Sequence, residues 1–474
     1  MNVLFIGTEA VPFAKSGGLG DVLGALPKAL RKEGVNTAVM IPLYKSIKEK
    51  YFDEMEKVAE FESLLAWRHK YVGVYKMIYD EVDFYFIDNE EYFKRAGYYG
   101  YYDDGERFAY FCKAVIGAIS VIDFEPDILH VSEWQAALVP VYLKTCYSDV
   151  LEYKKLKTVF TIHNIEYQGK FSPDILSDVF GIDERFRNIM EYDGCINLLK
   201  AAIVSCDILT TVSPSYAEEI QYEFYAKGLQ HIIKENSYKL HGILNGIDQT
   251  LYNPKKDKEI FARYDLKTFE KKKKNKNGMQ NTLGLEERDD VTVIAMITRL
   301  VYHKGIELVM SMFDEIMEEN VQFVLLASGD KQYEEFFLGK EEKYKGRVVC
   351  LRGFSEESAK SIYAGADVFL MPSVSEPCGL AQMIASKYGT VAIVRETGGL
   401  KDSISDYNPE TGEGNGITFK QINAHEMLWA VKRAIETVKD EEHGFKLITN
   451  AFKSDFSWKK GAKVYKKIYK GLET

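Results

Sequence analysis

The apolar positions of this chain fall in short runs separated by longer amphipathic stretches. "NVLFIG" (2–7) is a continuous apolar run ended by glycine, and it predicts a buried strand. Residues 21–33 place Val22, Leu23, Leu26, Ala29 and Leu30 on one helical face. Pro27 falls inside that helix and is expected to kink it or leave one carbonyl unpaired. "TAVMIPL" and "VDFYFID" predict two more strands, and residues 106–122 a helix. "DILHV", "TVFTIHN" and "ILTTVS" predict further buried strands. Residues 254–283 break the rhythm. "NPKKDKEIF" and "EKKKKNKNGMQN" are polar and Lys-rich, and read as a solvated linker or surface loop. The alternation then restarts with the strand "VTVIAMITR", a helix over 305–319, and the strands "VQFVLLASG", "VVCLRG", "DVFLMPS" and "TVAIVRE". The last segment, "WKKGAKVYKKIYKGL", puts Val464, Ile468 and Leu472 at helical spacing.

Strands alternating with helices imply mostly parallel sheets covered on both faces. The expected class is α/β, with two Rossmann-like doubly wound domains. Ligands bind beyond the carboxyl ends of the strands in such sheets. Two such edges facing each other make an interdomain cleft that can close and exclude water.

Composition narrows the function. The chain of 474 residues is 46% hydrophobic and 28% charged, with a net charge of −10. That balance argues against a general nucleic-acid binder, whose footprint is usually basic. The cysteines at 112, 146, 195, 206, 350 and 378 show no CxxC pair and no metal spacing, which suits reduced thiols. The first apolar run is short and leads into a glycine loop, so it reads as a strand and not a signal peptide. No stretch approaches the roughly 20 apolar residues of a membrane span. A cytoplasmic protein with no membrane partner is expected.

The candidate chemistry sits in loops after strands. "KSGGLGDV" (15–22) is neither the dinucleotide fingerprint, whose third glycine would fall on Leu23, nor a Walker A loop. "TGGLKD" (397–402) echoes "SGGLGD" (16–21) in the other domain, and both open a predicted helix. Amides at such a loop form an anion site, so one diphosphate could use both. Arg299 and Lys304 in "TRLVYHKG" read either as surface cations or as neutralisers of a leaving diphosphate. In "SEPCGL", Glu376 reads as a helix cap or a chemical group, Cys378 as a packed thiol, and Gly379 and Leu380 as amide donors. His163 and Asn164 follow "TVFTI", Asn245 lies on the turn of "LNGID", and Glu133 and Trp134 end another strand. Aromatic-rich "AGYYGYYDDGERFAYF" (96–111) reads as an exposed stacking surface or as core.

Taken together, these motifs carry a resemblance. "TEAVPFAKSGGLGDVLGALPKAL", "YDDGERFAYF", "TIHNIEYQG", "TTVSPSYAEEI", "GILNGID", "TRLVYHKG", "GADVFLMPSVSEPCGL", "YGTVAIVRETGGLKD" and "DFSWKKGAKVYKKIY" run in order along nearly the whole chain. The sequence resembles the bacterial glycogen synthase and plant starch synthase family. The resemblance implies a GT-B fold and transfer of glucose from ADP-glucose to an α-1,4-glucan with retention of configuration. It implies no metal and no cofactor. The domains it implies are 1–250 on the glucan side, 251–455 on the nucleotide-sugar side, and a helix over 456–474 crossing back onto the first. By resemblance, Lys15 and the amides of Gly17 and Gly18 meet the phosphates and the acceptor side. Glu9 and Asp21 line the nucleotide and glucan edge. Arg299 and Lys304 hold the departing diphosphate. His163, Asn164, Asn245, Glu376, Cys378 and Gly379 hold the donor glucose, Leu380 and Ala381 offer amides to the nucleotide, and Phe354 stacks on adenine. Glu133 belongs to the acceptor side.

Some positions depart from the family pattern. "SEW" (132–134) stands where His-Asp-Trp is usual, so Glu133 keeps the carboxylate one methylene longer. Phe354 replaces a common Tyr, Ala381 a common Thr, and Ala226 a glycine. Two other readings remain: a related glucosyltransferase using UDP-glucose or a small acceptor, and a glucan-binding homologue without catalysis.

Overall fold

A computed structural model describes residues 1–353 and 355–472. The chain divides into two compact units, Met1–Gly246 with Trp458–Thr474, and Ile247–Ser457. Unit 1 contains β1 (Asn2–Ile6), β2 (Asn36–Pro42), β3 (Glu56–Leu65), β4 (Arg68–Tyr79), β5 (Val82–Asp88), β6 (Ile128–Ser132), β7 (Lys157–Ile162), β8 (Lys170–Phe171), β9 (Glu191–Tyr192), β10 (Cys195–Asn197), β11 (Ile208–Thr211) and β12 (Leu240–Gly242). Its large sheet runs β12-β11-β7-β6-β1-β2-β5-β4-β3. The strands from β12 to β5 are parallel, and β4 and β3 extend the edge as an antiparallel hairpin. Unit 2 contains β13 (Thr292–Leu300), β14 (Val321–Gly329), β15 (Val348–Arg352), β16 (Val368–Met371), β17 (Val391–Arg395) and β18 (Ile417–Phe419), all parallel, in the order β15-β14-β13-β16-β17-β18.

In each sheet the strand order reverses direction beside the first strand. The switch lies between β1 and β6 in unit 1 and between β13 and β16 in unit 2. The two loops at a switch point leave the carboxyl edge on opposite sides, which opens a crevice between them.

The predicted strands are all present, but several details differ. The helix expected over 21–33 begins earlier, at Gly18–Lys32, and carries Pro27 within it. The helix expected over 305–319 is interrupted at Met312, into Ile306–Ser311 and Phe313–Met317. The β3–β4 hairpin was not anticipated, because its mixed alternation buries only part of one face. The Lys-rich stretch over 254–283 is not a linker. It ends in a helix, Lys272–Leu283, that buries Lys272, Asn275, Lys276, Met279 and Gln280. Lys272 Nζ donates to the carbonyls of Tyr363 and Ala364, at the end of helix Glu356–Gly365, and to Thr390 Oγ1. Lys276 Nζ pairs with Asp367 at 2.7 Å. A lysine stem covers apolar surface while its ammonium finds internal acceptors, so lysine density alone does not mark a solvated loop.

The C-terminal helix Lys459–Leu472 belongs to unit 1. It does not use the face suggested by Val464, which is 45% exposed. Tyr465 and Tyr469 are buried instead. Tyr469 Oη lies 2.6 Å from His130 Nδ1, and His130 Nε2 lies 2.6 Å from Thr161 Oγ1. Burial lowers the His130 pKa to about 3, so the ring is neutral and each nitrogen needs its one partner. Among the described residues no helix is long and apolar enough to cross a membrane.

Replacing Tyr469 with Phe strands a buried ring nitrogen. Urea unfolding of the full chain should show Tyr469→Phe less stable by about 1–2 kcal/mol. Val464→Ala on the exposed face should stay within about 0.5 kcal/mol of the parent.

Candidate active site

In unit 1 the candidate residues lie in the loops after β1, β6, β7 and β12, at the carboxyl edge of the sheet. The loop after β1 passes through Glu9 and rises into helix Gly18–Lys32. Glu9 is buried. Its carboxylate accepts from the Ser16 amide, from the Gly17 amide at 3.2 Å, from Ser16 Oγ at 2.7 Å and from Tyr99 Oη at 2.6 Å. An internal carboxylate thus occupies two of the loop amides. Gly18 opens the helix, where first-turn amides have no intrahelical acceptor. A β-carbon on Gly17 would meet nothing within 4 Å, so no internal contact demands glycine there. Lys15 is paired with Asp21 at 2.7 Å across the exposed loop.

The aromatic segment over 96–111 is mostly core. Phe108, Tyr110 and Phe111 are buried, and Tyr98 packs on Tyr44 with ring centroids 4.7 Å apart. Tyr99 is spent on Glu9 and Thr8. Tyr102 is fully exposed.

Glu133 follows β6 with φ 66° and ψ 168°, a conformation essentially confined to glycine that costs about 1–3 kcal/mol. The strain has a return. It places Oε1 under the next loop, where it accepts from the backbone amides of His163 at 2.6 Å and Asn164 at 2.9 Å. Burial pushes the Glu133 pKa up to about 8 against the opposing pull of those two amides. The His163 ring nitrogen Nε2 lies 3.2 Å from Ser132 Oγ. Burial lowers the His163 pKa to about 3, although part of the residue stays open to solvent. Asn245, after β12, is 6% exposed, and its side-chain carbonyl Oδ1 is buried without a partner.

In unit 2 the switch-point loops bring Lys304 and Glu376 together. Lys304 Nζ reaches both carboxylate oxygens of Glu376, at 2.8 and 2.7 Å. Ser373 Oγ donates to Glu376 at 2.9 Å. The backbone explains the fit. Gly305 has φ +71°, and a β-carbon there would stand 2.0 Å from the Pro372 carbonyl oxygen. The amide of Val374 donates to the His303 carbonyl at 2.9 Å. Arg395, buried at the end of β17, donates to the carbonyls of Ser373 at 2.7 Å and Val374 at 2.6 Å. Arg299 is exposed near the end of β13, just before the turn that carries Lys304. Cys378 is buried, Gly379 has φ +70°, and Leu380 caps the helix Ala381–Lys387. Gln382 Nε2 donates to the carbonyls of Cys378 at 3.2 Å and Gly379 at 2.8 Å. Phe354 lies outside the described residues.

The second glycine loop does not behave as the first. The Gly399 amide donates to the Glu376 carbonyl at 3.1 Å. A β-carbon on Gly398 would stand 2.0 Å from that oxygen, and one on Gly399 2.2 Å from the Cys378 carbonyl oxygen. These glycines let the backbone of 398–399 pack against 376–378. The expectation of two matched phosphate loops is therefore corrected: the echo of letters is not an echo of structure.

Ser16, Tyr99, Ser132, Ser373, Gln382 and Arg395 were not singled out from sequence. Only Arg395 left a signal there, a charged residue closing the otherwise apolar strand "VAIVR". Among the described residues no group of three or more His, Cys, Asp or Glu could hold a metal ion.

The Glu133 pKa carries a sign that can be measured. Its folded value near 8 lies above the ordinary 4.5, so the native state holds a proton that the unfolded chain releases. That contribution is full below about pH 4.5 and is lost as pH rises toward 8. Glu133→Gln keeps a carbonyl acceptor for both amides and does not titrate. The stability difference between parent and Glu133→Gln should shift against the parent across this window, by at most about 1.4 kcal/mol per pH unit. Denaturant unfolding at pH 5, 6.5 and 8 reads it, and a constant difference would refute the protonated carboxyl.

Comparison with known proteins agrees with these motifs. Residues 2–235 match the starch synthase catalytic domain family, and residues 284–454 match the glycosyl transferases group 1 family. The chain is 48% identical to a glycogen synthase of Bacillus cereus (strain ZK / E33L), over 100% of both chains. It is 47% identical to a glycogen synthase of Geobacillus stearothermophilus, covering 100% of this chain and 98% of the relative. The catalytic domain of starch synthase IV from Arabidopsis thaliana, bound to ADP and acarbose, superposes with a TM-score of 0.91 at 33% identity over 99% of each chain. Sucrose-phosphate synthase from Thermosynechococcus elongatus shares the fold, with a TM-score of 0.62 at 17% identity over 99% of this chain and 98% of that one. The fold is GT-B, and the chain belongs to the glycogen and starch synthase family of glucosyltransferases.

Proposed function

We propose that this protein transfers glucose from ADP-glucose to the non-reducing end of an α-1,4-glucan with retention of configuration. The observation that carries the reading is the Lys304–Glu376 pair at the switch point of unit 2, in a chain of this family. The donor assignment is supported by the family relative at 33% identity that binds ADP and acarbose.

The chemistry follows from charge. Breaking the bond between the anomeric carbon and the diphosphate oxygen builds positive charge on the sugar and negative charge on the diphosphate. Arg299 and Lys304 are assigned to the negative side, with the amides of Gly18, Leu380 and Ala381. Glu376 is already engaged by Lys304 and Ser373, which suits a carboxylate that grips a sugar hydroxyl and not one that attacks carbon. The His163 ring, neutral at working pH, is suited to hydrogen-bond the glucose 6-hydroxyl and not to act as a general acid. Its backbone carbonyl is assigned to the cationic sugar. Asn245, with an unpartnered buried Oδ1, supplies an acceptor for a donor-sugar hydroxyl. The acceptor hydroxyl then bonds to the anomeric carbon on the face the diphosphate leaves, and its proton passes to the departing phosphate oxygen. Lys15 and Glu9 are assigned to the acceptor side with Glu133, which acts through the His163–Asn164 turn.

Purified protein given labelled ADP-glucose and glycogen should incorporate glucose. Incorporation from UDP-glucose alone would overturn the donor, and glycogen binding without transfer would overturn the activity. Lys304→Ala and Glu376→Ala should each lower turnover by at least about a hundredfold, as loss of an oriented transition-state partner does. Because the two side chains share one ion pair, the double variant should lose less than the product of the single losses. Near-parental rates in both single variants would refute the assigned roles.

A further inference from the structure

Unit 1 contains a cavity of about 390 Å³ that none of the roles above uses. It lies between the small antiparallel sheet β8-β10-β9 and the loop at 227–228. Its volume falls within the range of small-molecule sites, but such sites are mostly apolar. This one is lined by Gln168, Lys170, Tyr192, Asp193, Asn197 and Lys227. The lining argues against an apolar ligand. Charge argues against a strong anion, because Lys170 and Lys227 face Asp193, and Lys227 also pairs with Glu166 at 3.6 Å. A neutral ligand that offers donors and acceptors on every side fits what remains, and a sugar has that chemistry.

The walls are built before any ligand arrives. Gln168 is 5% exposed and Asn197 is 0% exposed. Gln168 Nε2 donates to the carbonyls of Ile165 at 3.2 Å and Lys227 at 3.0 Å, and Asn197 Nδ2 donates to Gln168 Oε1 at 2.8 Å. Tyr192 Oη donates to the Gly228 carbonyl at 3.0 Å. Lys227 is held at φ +52°, unusual for a residue with a side chain. Such pre-organisation reduces the ordering cost of binding. The cavity also shares a loop with His163 and Asn164. The Asn164 side chain accepts from the Glu166 amide at 3.0 Å, and the Tyr167 amide donates to the Asn164 carbonyl at 3.2 Å. Gln168 follows directly.

We propose that this cavity is a glucan subsite that holds a glucosyl unit of the acceptor chain, away from the unit that reacts. The inference rests on the glucosyltransferase reading above. It makes part of the acceptor affinity depend on Lys170 and Tyr192, neither of which is assigned to the donor.

Calorimetric titration of maltotetraose into the full-length protein, without nucleotide sugar, reads the subsite directly. Lys170→Ala and Tyr192→Phe should each weaken binding by about 2–10-fold, the loss of one hydrogen bond. In the transfer assay the same variants should raise the KM for maltooligosaccharide by a similar factor and leave the KM for ADP-glucose within about twofold. Parental binding and KM in both variants would overturn the subsite while transfer by the parent protein still upheld the function. A parent protein that transfers no glucose from any nucleotide sugar would overturn the function itself. Titration of inorganic phosphate is the remaining arm: phosphate binding that these variants abolish, with maltotetraose binding unaffected, would make the cavity an anion site and overturn the inference.

Discussion

The Pro372 carbonyl oxygen stands 2.0 Å from where a β-carbon on residue 305 would be, and the Glu376 carbonyl oxygen stands 2.0 Å from the same point on residue 398. The segment 372–378 is therefore gripped by backbone on two sides, with no room for a side chain at either grip. Glycine at 305 sets the distance between the loop after β13 and the loop after β16, and glycine at 398 sets the distance between the loops after β16 and β17. The first distance decides whether an ammonium at 304 can reach both oxygens of a carboxylate at 376. Arg395 closes the third side by satisfying carbonyls that a tight loop would otherwise leave buried and unpaired. The polar pair in unit 2 is thus a consequence of backbone packing, and the ion pair is the last step of that packing.

Unit 1 solves the same problem with carboxyl groups. Glu9 and Glu133 are buried, and each accepts from two consecutive backbone amides, Ser16 with Gly17 and His163 with Asn164. A side-chain carboxyl held under a pair of amides fixes a turn more firmly than a loop could by itself, because both donors point at one oxygen. The two sites differ in how they reach this arrangement. Glu9 is joined by the hydroxyls of Ser16 and Tyr99, whereas Glu133 reaches its amides only by adopting a strained backbone. Strain of that size persists where the surroundings over-determine it, and here the surrounding turn carries His163.

The strand pattern and the loops bearing chemistry were legible because both rest on local signals. Apolar runs ended by glycine or polar residues gave the longer parallel strands, and most candidate groups sat at or just after one; β12 and β18, three residues each, were too short to leave such a run. The parts that were not legible depend on contacts distant in sequence. Lys272 and Lys276 look solvated in "EKKKKNKNG" because their acceptors, Tyr363, Ala364, Thr390 and Asp367, are far along the chain. Val464 carried the apolar signal on the last helix, but the buried face is set by Tyr465 and Tyr469, whose rings pack beside His130. Ser373 acts on its loop through a side-chain hydrogen bond to Glu376 and Gln382 through bonds to the Cys378 and Gly379 carbonyls, and nothing about a serine or glutamine in isolation announces such a role.

The two glycine loops make the limit concrete. "SGGLGD" and "TGGLKD" share letters, a preceding strand and a following helix. In the first, a β-carbon on Gly17 would enter open space, and the nearby amides are directed at a carboxylate. In the second, the glycines are required by carbonyl oxygens 2.0 and 2.2 Å away, and the loop serves to back the segment that carries Glu376. A glycine removes a β-carbon in either case. Whether that vacancy admits a ligand or another stretch of the same chain is decided by what the fold brings to it, and only the first loop leaves its side open.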